Sequence, residues 1–203
     1  MAFLGFVSER ECRRWEGATP YLPAFSFYER HQSEPINARP EAIIQAVLTL
    51  NMEEDPIIRR LLMLRQLPKK LLQWGAETKR TSPPEAFGFE SFTQLHQDSN
   101  EVSLGLAGQF WKPMLGVHRL ENAAAFHQFA DPAAAKLVLR FIVTQDAAGL
   151  ATLCTETFIW CPTPQVKARL ACYWAAIRPA SGWIRRRTLL SVQRKLAVTA
   201  TEP

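Results

Sequence analysis

From Phe92 to Cys161 the apolar residues fall at every second position, and this period constrains the fold more than any other feature of the chain. Val102, Leu104 and Leu106 alternate with Ser103, Gly105 and Ala107, while Leu137, Leu139, Phe141 and Val143 alternate with Lys136, Val138, Arg140 and Ile142. Alternation of this kind belongs to strands whose two faces differ. Strands are predicted at Phe92 to His96, through Val102 to Leu106 with an end at Lys112 and Pro113, at Val117 to Leu120, at Leu137 to Val143 and at Leu153 to Trp160. Asp98-Ser99-Asn100 and Asp146-Ala147-Ala148-Gly149 supply turns. The Ala-rich stretch from Asn122 to Ala135 crosses over irregularly or through a helical turn. The small residues opposite Val102, Leu104 and Leu106 predict either close packing or open space on that face.

Elsewhere the period is that of a helix. Pro162, Thr163 and Pro164 stop the last strand, Thr163 is placed as an N-cap, and Val166, Leu170, Trp174 and Ile177 line one side of a long helix. Pro179 and Gly182 are expected to interrupt it with a kink before it continues through Leu189, Val192 and Leu196. Ahead of the meander, Phe25 to Ile36 reads as a strand and Pro40 opens a helix bearing Ile43, Ile44, Val47, Leu48 and Leu50 on one side. A second helix is predicted from Pro56, with Ile57, Leu61, Leu64 and Leu71 at helical spacing and Pro68 as a kink. Gly75 to Pro84 reads as a loop. Residues 1–24 form a short amphipathic lead-in, so the predicted organisation is that segment followed by a single α+β domain over 25–203.

With 203 residues, 47% of them hydrophobic and 21% charged, the composition excludes disordered, collagen-like and coiled-coil classes. No run of 18 apolar residues is present, so no transmembrane segment is predicted. Cys12, Cys154, Cys161 and Cys172 form no CxxC pair, which fits reduced thiols and a cytoplasmic location. Charge is unevenly spread. Residues 165–203 hold eight basic residues against Glu202 alone, a net +7, and the rest of the chain therefore carries −2. Such a basic helix is either a solvated face or a surface for peripheral contact with an anionic membrane or an acidic partner. Without interleaved aromatic and basic residues it does not fit a nucleic-acid motif.

The order of elements, with a proline before the first helix and a long final helix, resembles the helix-grip fold of the START, Bet v 1 and polyketide cyclase (SRPBCC) superfamily. The resemblance covers roughly residues 25–198. Its carriers are Ile36-Asn37-Ala38-Arg39-Pro40-Glu41-Ala42-Ile43, then Leu104-Gly105-Leu106-Ala107-Gly108-Gln109-Phe110-Trp111, and Thr155-Glu156-Thr157. The run from Tyr173 to Arg186 looks like the terminal helix of a bacterial branch of that superfamily. The resemblance implies a curved antiparallel sheet wrapped around the C-terminal helix, two short helices after the first strand, and a cavity for a hydrophobic or amphipathic small molecule. It does not imply one reaction.

The motifs GxSxG, HExxH, the P-loop and GxGxxG are absent, so no cofactor is predicted, and the histidines lack metal-ligand spacing. Catalysis by a cyclase or dehydratase would need only one or two polar groups aimed into an apolar chamber. Glu29 and His31 point to the same face of the first strand and form the first acid/base candidate, against the alternative of a half-exposed edge. Glu156 is the second candidate, with exposure to solvent or pairing to an arginine of the last helix as the competing readings. Leu104, Leu106, Phe110, Leu139 and Phe141 are expected as the floor of the cavity, Thr155 and Thr157 as polar points in its wall, and Tyr173, Trp174 and Ile177 as its roof. Taken singly the apolar ones read as plain core, and only the set, on this fold, points to a cavity. His96, His118 and His127 read as surface or structural residues, and Cys161 and Cys172 flank the start of the last helix.

Overall fold

The computed structural model describes residues 5–49, 91–112 and 116–199, with side chains as far as Leu196. The predicted helix from Pro56, the loop from Gly75 to Pro84 and the strand end at Pro113 lie outside the described residues. The fold is α+β. Five strands, β1 (Phe27–Gln32), β2 (Thr93–Gln97), β3 (Glu101–Gly108), β4 (Ala135–Gln145) and β5 (Ala151–Trp160), form one curved antiparallel sheet in the order β1-β5-β4-β3-β2. The helices of the described residues are α1 (Glu9–Arg13), α2 (Pro40–Leu48), α3 (Ala123–Gln128) and α4 (Pro164–Thr199).

Turn chemistry sets the meander. Asp98 Oδ1 accepts from the backbone N–H groups of Asn100 and Glu101, both at 2.7 Å, and Asp146 Oδ1 accepts from those of Ala148 and Leu150, both at 2.9 Å. Between β3 and β4, Asn122 caps α3 by accepting from Ala125 N at 2.9 Å. The strand expected at Val117 to Leu120 is instead a single bridge, His118 to Ala107. Both edges of β3 are already taken, by β4 along its whole length and by β2 from Gly105 back to Val102, so only the end near Ala107 is open to it.

Both faces of the sheet are covered, which is why β3 is buried at nearly every position rather than at alternate ones. One face packs against α2 and α4. On the other, Val7, Leu22 and Phe25 of the N-terminal stretch join Phe126 of α3 over Leu95, Val138 and Phe158. Phe6 also bridges Phe27, so residues 5–25 are laid along the sheet. The small residues of β3 mark close packing on this second face. A Cβ on Gly105 would stand 2.8 Å from Phe126 Cδ2 and 2.9 Å from Leu95 Cδ1.

Thr163 caps α4, its hydroxyl accepting from Val166 N at 3.3 Å. The 36-residue helix then runs through Pro179 and Gly182 without the expected interruption. Ala175 and Pro179 both lie on its exposed side, where water can satisfy the Ala175 carbonyl that proline leaves unbonded. Gly182 lies on the buried side. Among the described residues no helix is long and apolar enough to cross a membrane.

Gly105→Val drives a branched side chain into Phe126 and Leu95, and is expected to cost about 1–3 kcal/mol by overpacking. Urea unfolding of the variant checks it, and an unchanged midpoint would contradict the close approach.

Candidate functional site

Beneath α4 the sheet carries two apolar clusters separated by a polar seam. In one, Phe27, Leu106, Phe110 and Ile159 pack against Leu170 and Trp174 of α4. In the other, Leu104, Phe141 and Leu153 pack against Leu189 and Val192 of α4 and Ile43, Ile44 and Val47 of α2. Between them β5 places Thr155 and Thr157, paired in register with His31 and Glu29 of β1. From above, α4 contributes Arg178, Gly182 and Arg185. Steps of three and four put these on the same helical face as Trp174, Leu189 and Val192. The seam is therefore where the polar positions of β1, β5 and α4 coincide in height.

Glu29 is its charged centre. Its Oε2 accepts from Arg185 Nη1 at 2.9 Å, while Oε1 lies 3.6 Å from Arg178 Nε and 3.3 Å from His31 Nε2. Burial pushes the carboxyl pKa up, but His31, Arg185 and Arg178 together outweigh it and hold the group below its ordinary value. Burial also lowers the pKa of Arg185, and Glu29 opposes that shift. Gly182 lets the helix backbone come close to the pair. A Cβ there would already touch His31 Cε1 at 3.4 Å and Glu29 Oε1 at 3.5 Å, so a longer side chain would enter their space.

Around this centre the buried atoms Thr155 Oγ1, Thr157 Oγ1, Trp174 Nε1 and His31 Nε2 have no hydrogen-bond partner. The His31 contact with Glu29 is at ion-pair distance but lacks hydrogen-bond geometry. Thr155 is 0% and Thr157 1% exposed, so water at the surface does not serve them. An unpaired buried hydroxyl costs about 1–3 kcal/mol, which makes a cluster of such groups an unusual way to build plain core. No protein-family model matches the chain, and no curated protein or solved structure matches it either.

All ten residues expected to line a cavity lie on or above this face of the sheet. Leu104, Phe141 and the half-buried Leu139 sit with the α2 cluster, whereas Leu106, Phe110 and Trp174, with Tyr173 and Ile177 packed against them, sit with the other. Thr155 and Thr157 lie between the two. Beside the α2 cluster a small recess of about 170 Å³ is lined by Val47, Leu48, Phe92, Gln94, Val102 and Leu104. Leu104 pairs with Leu139 and Leu139 with Thr157, so two strand spacings, roughly 10 Å, separate the recess from the seam.

Glu156 lies on the opposite face. It accepts from Arg140 Nε at 2.8 Å and again from Arg140 Nη2, and Tyr28 donates its hydroxyl to the other oxygen. The arginine that pairs with it therefore comes from β4, not from the last helix. Burial, then the bond to Glu156, pushes the Tyr28 hydroxyl pKa up. His96 and His118 stand at the surface, 3.0 Å from Asp98 and 3.6 Å from Asp131. Burial pushes the Cys161 thiol up to about 12, and Cys172 is exposed. Sequence reasoning missed Arg178 and Arg185 by counting them with the basic charge of the helix, and Gly182 by reading it as an interruption of the helix. Their spacing from Trp174 was the available signal, but the acid that turns them inward is on a distant strand.

Glu29→Gln leaves two guanidinium groups without a buried counter-charge, and is expected to cost about 3 kcal/mol at pH 7. Since the native carboxyl lies below its unfolded value of about 4.3, this stabilisation is complete above that pH and is lost as pH falls through the native value. Urea midpoints of the two proteins should therefore converge in acid. A gap that persists or widens there would contradict the ion-pair account.

Proposed function

We propose that the chain is a helix-grip protein of the START, Bet v 1 and polyketide cyclase type, and that it binds an amphipathic small molecule between its sheet and α4. The observation that carries this reading is the set of buried polar atoms of Thr155, Thr157, Trp174 and His31 that have no hydrogen-bond partner, between two apolar clusters. Trp174 Nε1 only donates and each threonine hydroxyl can donate, so the seam suits a ligand bearing an acceptor such as a carbonyl oxygen. The ligand's apolar part extends along the clusters toward the recess. The resemblance in element order and in the residues around Pro40 and Thr155 points the same way. Lipids, quinones and polyketide-like molecules share the required chemistry.

A second reading, catalysis of the cyclase or dehydratase kind, is favoured by His31, whose Nε2 belongs to the same set and whose ring stands beside a carboxylate. Here His31 moves a proton while Glu29, held ionised by its arginines, orients it. Binding alone predicts that His31→Gln keeps its ligand with no turnover to lose, and the enzyme reading predicts that turnover disappears while the ligand stays.

Replacing both threonines by valine separates a binding site from plain core. Thr155→Val with Thr157→Val removes two unsatisfied hydroxyls at nearly constant shape, and is expected to raise stability by about 1 kcal/mol or more. At the same time the variant should lose any small molecule that native mass spectrometry finds with the purified parent. A destabilised variant, or one that keeps the companion at full occupancy, would count against the proposal.

A further inference from the structure

The outward side of α4 carries a pattern of its own. Arg169, Trp183, Arg186, Arg187, Leu190 and Arg194 recur at helical spacing on the side turned away from the sheet. Trp183 is 40% and Leu190 49% exposed, a high value for large apolar side chains. The Arg187 guanidinium lies over the Trp183 ring, 5.3 Å from its centre. The positive charge of the helix is thus divided between two sides. Arg178 and Arg185 turn inward to Glu29, and Lys195 reaches Thr49 Oγ1 at 2.8 Å. Arg169, Arg186, Arg187 and Arg194 stand on the outward strip, and the helix itself contains no Asp or Glu from Pro164 to Thr199.

We propose that this face docks on the surface of an anionic phospholipid bilayer. Trp183 and Leu190 enter the headgroup boundary while Arg186, Arg187 and Arg194 meet lipid phosphates and carboxylates. Three features favour a lipid surface over an acidic protein. Two apolar side chains flanked by arginines make too small a dry centre for a stable protein interface, which covers about 800 Å² on each partner. Shallow insertion beside basic charge is enough for reversible adsorption. An exposed tryptophan, with an apolar ring and one polar N–H, also suits the headgroup layer, and the stacked Arg187 brings its charge to the same depth. The helix is about 54 Å long at the usual rise, so the strip can lie flat along a bilayer. This face is opposite the polar seam, and the inference does not depend on a ligand there.

Flotation of the full chain with phosphatidylcholine vesicles, with and without phosphatidylserine, tests it. The expected result is flotation with the phosphatidylserine vesicles only, released by raised salt. Arg186→Glu with Arg194→Glu, both at exposed positions, should weaken it at least about tenfold. Trp183→Ala should weaken it several-fold while leaving the salt dependence in place, and circular dichroism confirms that each variant is folded. Failure to float with phosphatidylserine vesicles overturns the proposal, as does equal flotation with phosphatidylcholine alone. Capture by polyglutamate that matches vesicle binding in strength and ignores Trp183→Ala also overturns it, and assigns the face to an acidic protein.

Discussion

Glu29 holds the last helix to the first strand. A carboxylate taken out of water is tolerated only where opposite charge and hydrogen bonds replace its hydration, and here Arg185 and Arg178 do so from α4. Apolar contacts alone leave a helix free to rotate or slide by small amounts over a sheet. Two guanidinium groups converging on one carboxylate do not, because a shift of one residue turns the helix by about 100° and carries both away. Gly182, seated over Glu29 and His31, adds a steric match at the same height. Where the helix lies, and so where Trp174 and Leu189 meet the sheet, follows from this contact.

The two faces of β5 carry opposite accounts of buried polarity. On the face away from α4, Glu156 is fully engaged by Arg140 and Tyr28, and Arg140 also donates to Gly17 O at 2.7 Å, tying down the N-terminal stretch. Satisfied networks of this kind rigidify a fold. On the face beneath α4, one residue away in each direction, Thr155 and Thr157 are as deeply buried and have no partner. One strand thus serves both a structural network and a set of open hydrogen-bonding positions, and the alternation of its side chains keeps them apart.

Much of this was legible in the sequence. The meander, its Asp-based turns, the helix opening at Pro40 and the Thr163 cap all rest on local chemistry, which the chain carries wherever it folds. That Glu29 and His31 share a face with each other, and Thr155 with Thr157, also followed from strand period alone. The strand expected at Val117 to Leu120 failed because edge availability belongs to the sheet, not to the segment. Pro179 did not interrupt α4 because a proline's effect depends on which side of the helix faces water. The inward turn of Arg178 and Arg185 needed knowledge that β1 lies beside β5, a pairing that no local pattern encodes. Glu156 was similarly ambiguous, since alternation separates two faces without saying which one meets the helix.

That pairing has a consequence for how the molecule comes into being. Among the described strands β1 pairs with β5, where Phe27 aligns with Ile159 and Gln32 with Cys154. During synthesis the first strand emerges long before its neighbour exists, and it meets the arginines that neutralise Glu29 later still. Until then an aromatic-rich edge and an unpaired acid wait in the nascent chain. Closing so long a loop is slow, and such a segment is exposed to wrong partners meanwhile. The order of strands therefore makes completion of the sheet a late, cooperative event in which the first part of the chain is ordered by the last.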